Sequence, residues 1–228
     1  MGTSLRISIQ AWNRQRRYRA RRGEGRADTH LKLYHFDFED SPGAPSGQRA
    51  AKIERFVSES LADCLVAAGR EVPEALARGE PPAMRKGPHG KPYLEGSGLE
   101  GVFFSLSHTR GHAIVCFSGG EIGADCENMA ARPGGRTRYE GIAARCFAGD
   151  ERGYIGFGQP GDTRRFFEIW TMKEAYMKYT GRGFAEGIRS FSVLDTPPGV
   201  NIKTGLLDGA PHVVFSVCTG TGGAGATA

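Results

Sequence analysis

The run Phe166-Phe167-Glu168-Ile169-Trp170-Thr171-Met172-Lys173-Glu174-Ala175-Tyr176-Met177-Lys178-Tyr179-Thr180 contains no proline or glycine, and it constrains the fold of this chain more than any other stretch. Phe166, Phe167, Ile169, Trp170, Met177 and Tyr179 supply the apolar bulk of an amphipathic helix. Gly181 and Gly183 are its stop signals, because glycine accepts the left-handed backbone that ends helices. Glu174 and Lys178 are four residues apart and share a face with Trp170 one turn earlier. On a lone helix that spacing gives a surface salt bridge. Here an acidic pair, Asp125-Cys126-Glu127, and a Ser-His pair, Ser107-His108, lie upstream, so a shared site is the second reading.

The other elements follow in order. Residues 31–38 alternate with period two, as a half-buried strand does. Residues 48–68 place Ile53, Phe56, Val57, Leu61, Cys64 and Leu65 at spacings of three and four, a helix closed by Gly69. Residues 73–83 are proline-punctuated and irregular. Arg85-Lys86-Gly87-Pro88-His89-Gly90-Lys91-Pro92 is a basic turn. It reads either as a surface hairpin or as a loop whose backbone and lysines approach a phosphate. Strands are predicted at 102–107, 113–117, 122–127, 188–194 and 212–218, and a short helix at 139–147. In a strand, Asp125 and Glu127 point to the same side. Like charges there call for a metal ion or a basic partner, unless a strand end leaves them solvated.

Charge separates the body from its first 30 residues. Residues 1–30 carry eight arginines against Glu24 and Asp28, a net of +6, so the rest of the +5 chain sums to −1. The basic balance is therefore no evidence that the body binds nucleic acid. Residues 1–30 and 219–228 read as disordered tails, the first also matching a transit peptide or a short nucleic-acid arm. Five separated cysteines without a C-x-x-C pair fit a reducing, cytoplasmic compartment. No apolar run approaches the ~20 residues of a membrane span. Arg132, Arg136, Arg138 and Arg145, against Glu140, form the densest basic stretch of the body. A coarse echo of strand, helix and hairpin predicts an α+β fold of two similar halves, residues 31–127 and 128–218.

Five stretches then occur in a recognisable order: Gly90-Lys91-Pro92, Phe104-Ser105-Leu106-Ser107-His108-Thr109, Ile122-Gly123-Ala124-Asp125-Cys126-Glu127, Ile142-Ala143-Ala144-Arg145-Cys146-Phe147 running to Glu151, and Trp170-Thr171-Met172-Lys173-Glu174-Ala175-Tyr176-Met177-Lys178. The set, covering roughly residues 85–193, resembles the 4′-phosphopantetheinyl transferases of the surfactin-synthetase-activating (Sfp) type. That resemblance implies a pseudo-two-fold α+β monomer that binds coenzyme A between its halves. It implies transfer of the phosphopantetheine arm to a serine of an acyl or peptidyl carrier protein, with release of 3′,5′-ADP.

By motif position, Asp125, Glu127 and Glu174 would hold Mg²⁺. Glu174 and Lys178 would be catalytic, with Lys178 on the transferred phosphate. Ser107 and His108 would belong to the coenzyme A site, with His108 on the pyrophosphate, and Lys86 and Lys91, with Pro92, would meet the adenylate end. The arginine stretch is the expected docking surface for an acidic carrier. A non-catalytic coenzyme A or carrier-binding module of the same fold would be marked by loss of a metal carboxylate, and none is lost. One departure concerns the stretch between Phe38 and Gln48, which offers Arg49 and Lys52 nearby as the basic residues for the coenzyme A 3′-phosphate.

Overall fold

The computed structural model describes residues 8–11, 31–38, 46–131, 135–183 and 187–220. Strand β1 is Ser8–Ala11 and β2 is Lys32–Asp37. Helices α1 (Ser46–Ala67) and α2 (Glu74–Ala77) follow, then strands β3 (Ala83–Lys86), β4 (Pro92–Glu95), β5 (Phe103–Thr109), β6 (His112–Ser118) and β7 (Ile122–Asn128). Helices α3 (Gly135–Cys146), α4 (Gly149–Ile155) and α5 (Asp162–Thr180) precede β8 (Val200–Leu207) and β9 (Ala210–Gly220).

The two halves repeat one topology. In the first, β2 pairs antiparallel with β6, and β6 with β5. In the second, β7 pairs antiparallel with β9, and β9 with β8. Each half thus runs strand, helix, hairpin, and the last strand inserts between the first two. Both hairpins turn through two residues, Arg110-Gly111 and Asp208-Gly209, with the glycine at positive φ. The fold is α+β, as its pattern predicts.

Side-chain alternation sets the layers. Tyr34 and Phe36 on one face of β2 pack with Ile53, Phe56, Val57, Leu61 and Leu65 of α1. Leu31 and Leu33, on the opposite face, join Ile114, Cys116, Ile122, Ala124, Phe215 and Val217, which closes the two sheets on each other. Val214 lies with Tyr139, Phe147, Ile155, Phe166 and Phe167 of α3 to α5. The order of layers is α1, first sheet, second sheet, then α3 to α5. Among the described residues, no helix is long and apolar enough to cross a membrane.

Several expectations change. Residues 8–11, read as tail, form β1 and pair in parallel with β2. Thr219 and Gly220 belong to β9, which is flanked on both sides. The boundary between halves falls before β7 and not after it, because β7 hydrogen-bonds to β9. Helices α2 and α4 and strand β8 are additions to the predicted elements, and the basic turn is the hairpin of β3 and β4.

Residues 188–194 form turns and bends, not a strand. Lys173 explains this. Its ammonium donates to the carbonyls of Ile188 (2.8 Å) and Phe191 (2.6 Å) and pairs with Glu151 at 3.0 Å. Glu151 in turn accepts from the backbone N–H of Val193 and of Ala148. These contacts anchor the segment to α5 in its observed turns. Both charged side chains are fully buried. Burial lowers the Lys173 pKa, and Glu151 opposes that shift. Lys173→Met leaves the Glu151 carboxylate buried without its cation, and the expected loss is about 3 kcal/mol in urea unfolding.

Candidate active site

The site is built where β7 meets β5 and α5. All seven residues of β7 are buried, which removes the solvated strand end as an explanation for Asp125 and Glu127. Between β5 and β7 the link is a row of hydroxyls. Ser105, Ser107 and Thr109 alternate along β5 and accept from the backbone N–H of Ala124 (2.8 Å), Cys126 (3.3 Å) and Asn128 (3.2 Å). Ser107 Oγ also donates to Asp125 Oδ1 at 2.7 Å, and Thr109 Oγ1 to Glu127 Oε2 at 3.4 Å. Period two in both strands therefore fixes both carboxylates on one side. The Ser107 hydroxyl, expected at coenzyme A, is engaged by Asp125 and by the Cys126 N–H.

The other wall is α5. Its approach to β7 depends on Gly123, where a Cβ would lie 1.9 Å from the Ala175 carbonyl oxygen and 2.3 Å from the Tyr179 nitrogen. The close contact brings Lys178 to β7. Its ammonium donates to Asp125 Oδ1 at 2.8 Å and to the Ala124 carbonyl at 3.0 Å. Lys178 is thus more than one end of a helix-surface salt bridge with Glu174. Burial pulls its pKa down, but Asp125 and then Glu174 outweigh that and hold it above the ordinary lysine value.

A cleft of about 250 Å³ opens beside this contact, lined by Lys91, Pro92, Leu106, Glu174, Met177 and Lys178 among others. Glu174, Lys178, Lys91 and Pro92 therefore line one cavity. His108 is exposed at the end of β5, and Lys86 is exposed on β3. The Lys91 ammonium is committed to Glu121 (2.5 Å) and the Ile122 carbonyl (3.1 Å). Its stem is what it offers to the cleft. Lys91 also ties the β3–β4 hairpin to β7. Arg49 and Lys52 lie exposed on the first turns of α1. The serine-threonine alternation of β5 and the glycine of β7 are further functional features, beyond the motif residues. Their signal was period two for the hydroxyls, and a glycine inside a strand for the close approach.

Asp125 and Glu127 offer oxygen donors that suit a hard divalent cation, but their ligand atoms and that of Glu174 do not all lie within 4.8 Å of one another. Asp125 and Glu127 are each 6% exposed, and Asp125 Oδ2 is buried with no hydrogen-bond partner. An orphaned carboxylate oxygen beside a second carboxylate suits an ion that prefers oxygen ligands. Cys126 between them is no nucleophile. Burial, then the Asp125 charge, pushes its thiol up to about 12.

This architecture has relatives. Residues 121–223 match the family model described as ACPS, the 4′-phosphopantetheinyl transferase superfamily. A 4′-phosphopantetheinyl transferase of Bacillus subtilis is 36% identical over 107 residues, 46% of this chain and 44% of that protein. The Bacillus pumilus 4′-phosphopantetheinyl transferase psf-1 is 30% identical over 106 residues, 46% and 42% of the two chains. The 4′-phosphopantetheinyl transferase Sfp of Bacillus subtilis strain 168 is 30% identical over 112 residues, 46% and 44%. The matched region of this chain spans a little under half the length of these curated relatives. Over residues 121–223 the chain is thus similar to the 4′-phosphopantetheinyl transferase superfamily.

Proposed function

We propose that the chain transfers the 4′-phosphopantetheine arm of coenzyme A to a serine of an apo acyl or peptidyl carrier protein. The observation that supports this best is the β7–α5 contact, which sets Asp125 against Lys178 at the wall of a cleft that also holds Glu174. Asp125, Glu127 and Glu174 are the residues that would hold Mg²⁺. When bound there, Mg²⁺ supplies Lewis-acid polarisation and charge neutralisation at the coenzyme A pyrophosphate.

The carrier's serine oxygen attacks the phosphorus that bears pantetheine. The phosphorus–oxygen bond to the leaving 3′,5′-ADP breaks, and the serine proton passes to the Glu174 carboxylate or to water. The attacking hydroxyl belongs to the carrier, so the cleft needs no nucleophile of its own. Lys178, kept charged by Asp125, stabilises negative charge at the phosphoryl group or on the departing oxygen. Ser107 and Thr109 hold the β7 carboxylates in place. Lys91 and Pro92 form the wall for the adenylate end, with His108 and Lys86 at its margins. The five free cysteines fit a cytoplasmic setting, and the chain acts as a monomer in this reading.

Intact mass of apo carrier proteins after incubation with coenzyme A and Mg²⁺ tests the proposal. A gain of one phosphopantetheine is the expected result, and the carrier that gains it is the partner.

The docking surface is assigned to α3. Arg136, Arg138 and Arg145 are exposed there, Arg136 beside Glu140 at 3.4 Å. Arg132, part of the same expected surface, lies outside the described residues. Charges at the rim of an interface act mainly on association rate and salt dependence. Arg136→Glu with Arg138→Glu is expected to raise the apparent KM for an acidic carrier about tenfold at low salt. The affinity for coenzyme A stays unchanged. Unaltered carrier kinetics in that variant would remove α3 from the docking surface.

A further inference from the structure

A second cluster of ligating side chains lies on the first sheet, apart from the Asp125, Glu127 and Glu174 set. Strand register places Leu33 opposite Cys116, His35 opposite Ile114, and Asp37 opposite His112. Period two puts Leu33, His35 and Asp37 on one face of β2, and His112, Ile114 and Cys116 on the matching face of β6. That face packs on the second half through Leu33, Ile114 and Cys116. The apolar row therefore ends in two imidazoles and a carboxylate, at the open edge of the seam between the sheets.

Three ligating atoms converge there. His112 Nδ1 and His35 Nε2 lie 2.6 Å and 2.8 Å from the same Asp37 oxygen, and 3.2 Å from each other. His35 is buried and Asp37 is exposed, so the triangle has a closed floor and an open mouth. The remaining nitrogen of His112 meets His212 Nε2 at 3.3 Å, across the seam on β9.

We propose that His35, Asp37 and His112 form a binding site for a zinc-class divalent metal ion, with His212 as the outer partner that fixes the His112 ring. The donor chemistry separates this site from the other. Two imidazole nitrogens and one carboxylate oxygen suit zinc and its neighbours, whereas Mg²⁺ prefers oxygen ligands alone. Zinc–ligand bonds of about 2.0–2.1 Å in a tetrahedron set neighbouring ligand atoms about 3.3 Å apart. Spreading the triangle by well under 1 Å reaches that spacing, and Asp37, on the exposed side, has room to move.

His112 binds through Nδ1, which leaves its Nε2–H to donate to His212. A ligating histidine generally makes such an outer hydrogen bond. Three ligands leave a position open to water at the mouth. Because His35 and His112 belong to the first half and His212 to the second, the ion would clasp the seam between them.

The test is Zn²⁺ titration of untagged protein in excess Mg²⁺ against a chromophoric chelator, repeated with Co²⁺ read by its visible absorption. The wild type is expected to bind one equivalent and to melt at a higher temperature when loaded. His35→Gln and His112→Gln, which keep side-chain bulk, are expected to weaken binding at least 100-fold while circular dichroism stays native. His212→Ala is expected to weaken it about 10–100-fold. His89→Ala and Asp125→Asn are expected to bind as the wild type does. Binding that survives His35→Gln together with His112→Gln would overturn the proposal. So would a wild type that binds no more tightly than this pair of substitutions, or an equivalent lost in Asp125→Asn. Any of these would leave the four side chains as a hydrogen-bonded cluster.

Discussion

Gly123→Ala is expected to yield little or no folded protein. The added methyl would sit 1.9 Å from the Ala175 oxygen and 2.3 Å from the Tyr179 nitrogen, both of them backbone atoms of α5. A flexible side chain could swing aside, but a helix backbone moves only as a body. Moving α5 would disturb Thr171, whose hydroxyl is 2.7 Å from that of Ser216 on β9, and Lys178 on Asp125. Overpacking against side chains costs about 1–3 kcal/mol, and here no neighbour can yield, so a loss of at least about 5 kcal/mol is expected. Gly120→Ala is the control, because a Cβ there meets nothing within 4 Å. It should stay within about 0.5 kcal/mol of wild type in the same urea series. A Gly123→Ala protein with the wild-type midpoint would mean that α5 and β7 are further apart than described.

The second large effect is on turnover. Asp125→Asn, Glu127→Gln and Glu174→Gln are each expected to lower carrier modification at least about 10³-fold, or ~4 kcal/mol of transition-state stabilisation. Groups that act as a unit are not additive, so double variants should be little worse than the worst single one. The three differ in stability. Asp125 is the ion-pair partner of Lys178, so Asp125→Asn also strips that ammonium of its counter-charge. The Lys178 pKa is raised above 10.5 in the folded state. While Asp125 is ionised, its pairing therefore stabilises below pH 10.5 and is lost as pH rises through the raised value. At neutral pH, Asp125→Asn should lower the melting temperature, which makes Glu174→Gln the cleaner variant. Lys178→Ala should likewise reduce turnover, and because it frees Asp125 Oδ1 it should also alter the Mg²⁺ dependence.

Local pattern carried a large share of this architecture. The run from Phe166 to Thr180 declares a helix, and the alternation around Leu33 declares a strand. The i, i+2 spacing of Asp125 and Glu127 puts them on one face before any coordinates are known. What stayed hidden depends on contacts between distant segments. Residues 188–194 have strand-like composition, yet Lys173 takes their carbonyls, and a lysine inside an apolar helix face gives no sign of where its ammonium will reach. Strand β7 looked like the end of the first half, but pairing assigns it to β9, some 90 residues later in the chain. Ser107 reads as a ligand-facing residue in its motif, and only its distance to Asp125 makes it a support for the carboxylate. Lys91 shows the same limit, since its charge is spent on Glu121.

One measurement bears most directly on the proposal that this chain is a Mg²⁺-dependent carrier-protein modifier. It is the time course of intact carrier mass with coenzyme A, run with wild type and Glu174→Gln, in Mg²⁺ and in excess chelator. The account predicts a gain of one phosphopantetheine for wild type in Mg²⁺. It predicts none in chelator and at least a 10³-fold slower gain for Glu174→Gln. Full modification by wild type in chelator, or near-normal modification by Glu174→Gln, would contradict it.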